Sequence, residues 1–204
     1  MRLLLLGATG RTGGHVLDLA LAGGHEVTAF VRSPDKVGPK PRLRVIGGDP
    51  LTCSGLADAL DGCHAVISTL GAPPREALRP STLMTRFGAA TVRAMKAQGV
   101  ERLAVLSAAV LFPGKGIQFA FFKWLLSHHA RDLVQMEELV RASDLAWTIA
   151  RPPRLVQGSD TRYRAASGAL PEKGTVVSFR AVAAFLLDSI ERRAHVGEIV
   201  GLAR

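Results

Sequence analysis

The feature that most restricts this chain is the alternation of short apolar runs with longer amphipathic stretches along its whole length. The runs are Leu3–Leu6, Val27–Val31, Leu43–Ile46, Ala65–Ile67, Leu103–Leu106 and Trp147–Ala150, with a weaker seventh at Ile199–Leu202. Four or five nearly continuous apolar residues suit strands covered on both faces, as in a parallel sheet. Between them apolar residues recur at helical spacing: Val16, Leu19 and Ala20; Met84, Phe87, Thr91 and Ala94; Leu133, Met136 and Val140; Val182, Phe185 and Leu186. Ser33-Pro34-Asp35 reads as an N-cap followed by proline at the first helical position. Strand and helix alternating from end to end predict an α/β fold: one doubly wound parallel sheet, helices on both faces, residues 1–204 forming a single domain. The Pro- and Gly-containing stretches Gly71–Pro80, Phe112–Gly116 and Pro152–Gly174 follow the fourth, fifth and sixth runs. Loops at these carboxyl ends of strands build the ligand site in such a sheet.

Composition closes off other classes. With 48% hydrophobic and 21% charged residues in 204, the chain can fold without disulfides or metal, and disorder is excluded. Cys53 and Cys63 are too few and too badly spaced for a zinc site, so no metal is predicted and both read as idle thiols in a reducing cytoplasm. The Leu3–Leu6 run stops at Gly7, short of a signal peptide's apolar region, and no stretch is long enough to insert in a membrane. The net charge is +9, and 20 of the 26 basic residues are arginine. They are scattered from Arg2 to Arg204 without a basic block, so the surface favours anionic partners and nucleic acid is not predicted.

Directly after the first run stands Gly7-Ala8-Thr9-Gly10-Arg11-Thr12-Gly13, a GxxGxxG pattern that joins a strand to a helix. Gly7 permits the tight turn, Gly10 lets a pyrophosphate approach the backbone, and Gly13 lets helix and strand pack closely. The free N–H groups and positive dipole end of the helix then hold the anion. Placement between strand and helix is what separates this loop from an ordinary glycine-rich turn. At the end of the second run, where an NAD-binding domain carries Asp or Glu for the ribose hydroxyls, stand Arg32 and Ser33. An arginine there pairs with a 2′-phosphate, which predicts NADP(H), with Arg11 and Lys36 adding positive charge. Asp49, followed by Pro50, is placed to touch the adenine or its ribose, and a helix N-cap suits it equally. Leu70 and Gly71, after the fourth run, would pass under the cofactor.

These residues resemble the atypical short-chain dehydrogenase/reductase group of NAD(P)H-binding proteins. The resemblance is carried by GATGRTG at 7–13, VTAFVRS at 27–33, Gly48-Asp49, Met95–Val100, Ser107-Ala108 and Arg151-Pro152-Pro153-Arg154-Leu155. Within that group the chain is most similar to the flavin reductase (biliverdin-IXβ reductase) branch. The resemblance implies a Rossmann fold, NADPH as hydride donor, and planar acceptors such as flavins or linear tetrapyrroles. Two departures bear on mechanism. The Tyr-x-x-x-Lys pair of ordinary short-chain dehydrogenases is missing: the one tyrosine is Tyr163, and Ser167 follows it by four. Where the branch carries two histidines near the substrate, this chain has Arg154 and Leu133, which weakens biliverdin as a substrate.

For the reacting end, Ser107 at the end of the fifth run reads as a positioning hydroxyl beside the nicotinamide, or as a serine satisfying the strand end. Arg151 and Arg154 flank the double proline and would meet cofactor phosphates or an anionic substrate. Phe112–Trp124 holds five of the chain's 11 aromatic residues and reads as a lid over a planar acceptor, or as core or dimer interface. His128 and His129 point to different faces and read as surface residues. The function predicted is an NADPH-dependent reductase acting on a small planar acceptor such as a flavin or quinone, as monomer or homodimer. The rival is an NADP(H)-binding redox sensor or assembly factor that does not turn over.

Overall fold

The computed structural model describes residues 1–49, 54–71, 80–113 and 127–204. Pro50, Cys53, Ala72 and residues 114–124 of the aromatic segment lie outside them.

Each apolar run is a strand: β1 (Arg2–Leu6), β2 (Glu26–Val31), β3 (Leu43–Gly47), β4 (Ala65–Ser68), β5 (Arg102–Leu106) and β6 (Ala146–Arg151). Between them stand α1 (Arg11–Ala22), the short α2 (Leu56–Leu60), α3 (Leu83–Ala97) and α4 (Ser127–Arg141). The chain closes with β7 (Arg154–Val156), β8 (Arg164–Ser167), β9 (Val176–Ser178), α5 (Phe179–Arg192) and β10 (Glu198–Ala203). The main sheet has eight strands in the order β3-β2-β1-β4-β5-β6-β10-β8. All its pairings are parallel except β10 with β8. The strand order therefore reverses between β1 and β4, the position where such sheets bind ligands outside their carboxyl ends.

The pleat divides the core in two. Leu3, Leu5, Ala29, Val31 and Ile67 face α1 and α5, with Val16, Ala20, Val182 and Phe185 packed against them. Leu4, Leu6, Phe30 and Val66 face the other way, onto α2, α3 and α4 through Leu60, Met84, Phe87, Met95, Leu133 and Met136. Burial on both faces is why these strands read as unbroken apolar runs.

Two expectations are corrected. Pro152–Gly174 is not one loop: it contains β7 and β8, and β7 pairs with β9 in a separate two-stranded sheet. These strands escape the pattern because they are short and β8 is mostly exposed at a sheet edge. Ser33 does not cap a helix with its side chain; Pro34–Lys36 makes a single 3₁₀ turn after it.

Helix α4 is tied to α3 by a buried carboxylate. Asp132 accepts from the backbone N–H groups of Met84 (3.0 Å) and Thr85 (2.8 Å) and from the Thr85 hydroxyl (2.7 Å). It thus supplies from another helix the cap that the start of α3 does not get from Thr82.

Tyr163 belongs to the opposite layer. Its ring meets Phe185 edge-on at 5.4 Å, and its hydroxyl donates to Asp188 at 2.7 Å. Burial and the neighbouring carboxylate push the phenol up to about 12. The unfolded phenol ionises near its ordinary value of about 10. Its folded pKa is therefore raised, and the stability this group contributes is complete below the unfolded value and lost as pH rises through the folded one. Tyr163 is the one tyrosine of the chain, so its phenolate absorbance is unmixed with any other. In an alkaline titration that absorbance is predicted to rise at about pH 12 while the fold persists. A midpoint at the ordinary value in the folded protein would show the contact with Asp188 to be absent.

Candidate functional site

The site begins where β1 ends. Gly7 turns the chain with φ +87°, a left-handed conformation that glycine adopts without a steric penalty. Its carbonyl accepts from the Gly10 N–H at 2.9 Å and closes the loop. A Cβ on Gly13 would lie 2.0 Å from the Gly7 oxygen and 2.7 Å from Thr69 Oγ1, so only glycine lets α1 start this close to the strand. Thr69 holds the loop from β4, donating to the Leu6 carbonyl at 3.0 Å. Gly10 is the N-cap of α1 and no side chain caps it. The first turn also carries no acidic residue. Its N–H groups and positive dipole end are thereby left for an anion.

A cleft of about 190 Å³ runs from this loop across the reversal point, lined by Gly7, Thr9, Gly10, Arg32, Leu70, Gly71 and neighbours. It gathers the glycine loop, the β2 end and the β4 end into one place. Among the described residues, nothing lies within 4 Å of a Cβ placed on Gly71. Thr12 is buried at the start of α1 and Ser33 half-buried beyond Arg32. Arg11 stands apart, its guanidinium 4.5 Å from the centre of the Phe179 ring at the start of α5. Asp49 is exposed two residues beyond β3. A second, apolar cavity of only about 20 Å³ lies between α3, α4 and the sheet and shares Leu70 and Phe87 with the cleft. Met84, Leu103, Val105 and Met136 line it.

At the ends of β5 and β6 the structure shows a residue that the sequence reading missed. The two strands continue their ladder past their ends, Ser107 N–H to the Ala150 carbonyl and Ala109 N–H to the Pro152 carbonyl. Ser107 is thereby fixed and buried, and its hydroxyl donates to Glu137 of α4 at 2.5 Å. Arg151 grips the same carboxylate twice, Nε to Oε1 at 3.0 Å and Nη2 to Oε2 at 2.5 Å. Phe112 stacks on that guanidinium at 4.8 Å. Arg151 is thus engaged by Glu137, whereas Arg154 is exposed on β7. Glu137 could have been found from spacing: with Leu133, Met136 and Val140 it completes one helical stripe. A carboxylate on such a stripe demands a buried partner. His128 and His129 open α4. Burial lowers the His129 pKa, with the Asp132 charge opposing it.

This geometry has known counterparts. A family described as NAD(P)H-binding matches residues 7–193. The chain belongs to that NAD(P)H-binding family. Among solved structures it is similar to a Rossmann-fold NAD(P)-binding family protein from Shigella flexneri, with 27% identity, a TM-score of 0.78, and 100% and 93% of the two chains covered. A short-chain dehydrogenase/reductase from Veillonella parvula in complex with NADP shares 20% identity at a TM-score of 0.81, covering 100% and 94%. A Streptococcus pneumoniae protein named as a candidate NADH-flavin reductase shares 23% at 0.78, covering 100% and 99%. The glycine cradle, the uncapped helix and the open cleft fit a dinucleotide's pyrophosphate. No helix among the described residues is long and apolar enough to cross a membrane.

Two glycines separate packing from binding. Gly13→Ala forces a Cβ into the Gly7 carbonyl and is predicted to cost about 1–3 kcal/mol in denaturant unfolding, as overpacking does. Gly71→Ala meets nothing among the described residues and is predicted to unfold like the parent chain. Equal stability of the Gly13→Ala protein would contradict the close approach.

Proposed function

We propose that this NAD(P)H-binding protein is an NADPH-dependent reductase whose acceptor is a small planar molecule such as a flavin or quinone. The observation that carries the proposal is the cleft at the strand-order reversal, which Arg32 shares with the glycine loop. When bound, the reduced nicotinamide supplies a hydride. The chain's residues bind and align. Gly7, Thr9, Gly10, Thr12 and Gly13 form the pyrophosphate cradle with the N–H groups of α1. Arg32 stands where an acidic residue would select NAD, and with Ser33 it meets the 2′-phosphate. Asp49 bounds the adenosine side, and Leu70 and Gly71 the floor; Pro50, read from the sequence as its neighbour there, lies outside the described residues. Ser107, with Arg151 and Pro152 behind it, bounds the nicotinamide end.

The acceptor's character follows from what lies beside that end. Leu70, half-buried where the cleft borders the apolar cavity, offers apolar surface to a ring. Arg154, exposed on β7, offers a charge to an anionic edge. Arg151 is less suited to that role because Glu137 already holds it. A phenolic proton donor is not part of the arrangement. Tyr163 is bonded to Asp188, roughly two and a half helical turns along α5 from Phe179, where Arg11 packs. Cytoplasm is the compartment this reading implies, and monomer and homodimer both accommodate it.

Three measurements follow. Direct titration is predicted to show tighter binding of NADPH than of NADH, and Arg32→Ala to remove roughly 1.5–3 kcal/mol of the difference, the range of a charged hydrogen bond. Equal affinity of the parent chain for both cofactors would refute the NADP assignment. Tyr163→Phe is predicted to leave NADPH oxidation by flavins and quinones within twofold or so, whereas loss of a true general acid costs about 100-fold or more. Arg154→Ala is predicted to raise KM for flavin mononucleotide more than for riboflavin, by about 1 kcal/mol or less for an exposed pair. An equal effect on both flavins would remove Arg154 from the site. If no acceptor in a panel of flavins and quinones is reduced, the chain binds the cofactor without turnover, as a sensor would.

A further inference from the structure

We propose that Glu137 is a positioning residue that fixes Ser107 as a hydrogen-bond acceptor toward the nicotinamide amide. This rests on the reductase reading above and assigns a positioning residue to its nicotinamide end.

The argument runs through one hydrogen atom. Glu137 and Arg151 have side chains 3% and 12% exposed, and the guanidinium holds both carboxylate oxygens. A carboxylate paired in this way is ionised and can only accept. The contact from Ser107 Oγ at 2.5 Å is therefore a donation by the serine. A hydroxyl has one hydrogen, and Ser107 has committed it; what remains is lone pairs. The serine cannot rotate that hydrogen away without leaving a buried carboxylate short of a partner. Its backbone is fixed as well, by the ladder to Ala150. A nicotinamide carboxamide offers both an NH₂ donor and a carbonyl acceptor, and only the NH₂ can bond to a serine held this way. Arg151 holds the Glu137 carboxylate in place, with its guanidinium against Phe112.

Binding, read by calorimetry, tests this without turnover. The probes are NADP⁺ and its 3-acetylpyridine analogue, in which a methyl group replaces the amide NH₂. The parent chain is predicted to bind NADP⁺ about fivefold more tightly, the worth of one ordinary hydrogen bond. Ser107→Ala keeps the ion pair and is predicted to bring the ratio to about one. The double variant Glu137→Met/Arg151→Met replaces the pair by apolar side chains, a change buried pairs often tolerate. It frees the serine to donate to either carbonyl and is also predicted to abolish the discrimination. If it does not fold, Ser107→Ala alone decides. A ratio near one in the parent chain, with NADP⁺ bound, overturns the inference and leaves the reductase reading standing. Failure to bind NADP⁺ at all overturns both.

Discussion

The contact between Gly13 and the Gly7 carbonyl is the constraint on which the rest of the site depends. Because position 13 has no Cβ, α1 can begin against the end of β1, and its uncapped N-terminus opens at the reversal point of the sheet. Thr69, arriving from β4, bonds to the Leu6 carbonyl and locks the turn from the far side of that reversal. The cleft exists because these two strand ends diverge to opposite crossovers while the backbone between them stays close. Moving α1 outward by the width of a methyl group would carry the anion-binding N–H groups away from Arg32 and Leu70.

The reacting end is built on a different principle, buried charge delivered by one helix. Helix α4 places two carboxylates below the surface five residues apart in sequence. Asp132 closes the start of α3, and Glu137 joins the ends of β5 and β6 through Ser107 and Arg151. Burying such groups is unfavourable unless every oxygen is partnered, and here the partners are fixed by the sheet and by a helix terminus. The result is a rigid serine whose hydrogen-bonding sense is set before any ligand enters. Leu133, Met136 and Val140 on the same helix provide the apolar packing that holds the carboxylates in register.

Much of this was legible in the sequence, and the reasons are physical. Strands covered on both faces must be apolar throughout, so Leu3–Leu6 or Ala65–Ile67 cannot be mistaken for surface. The glycines at 7 and 13 are required, one by a left-handed turn and the other by a contact that any side chain would violate. Strands β7, β8 and β9 were not legible, because three or four residues at a partly exposed edge carry no periodic signal. Glu137 was overlooked because charged residues on helices are ordinarily solvated. Its neighbour Glu138 is exposed, and only the stripe through Leu133, Met136 and Val140 tells the two apart. Arg151 was assigned to phosphates or substrate for a related reason: a sequence shows a charge but not the countercharge folded against it.

The central claim is that the cleft between the glycine loop and Arg32 recognises a phosphorylated adenosine ribose. Competition between adenosine 2′,5′-bisphosphate and NADPH, set beside adenosine 5′-monophosphate, isolates that half of the ligand from the nicotinamide end. The account predicts that the bisphosphate displaces NADPH at a concentration at least about tenfold lower than the monophosphate, the effect of one charge-assisted contact. Equal potency of the two nucleotides, or displacement by neither, would contradict it.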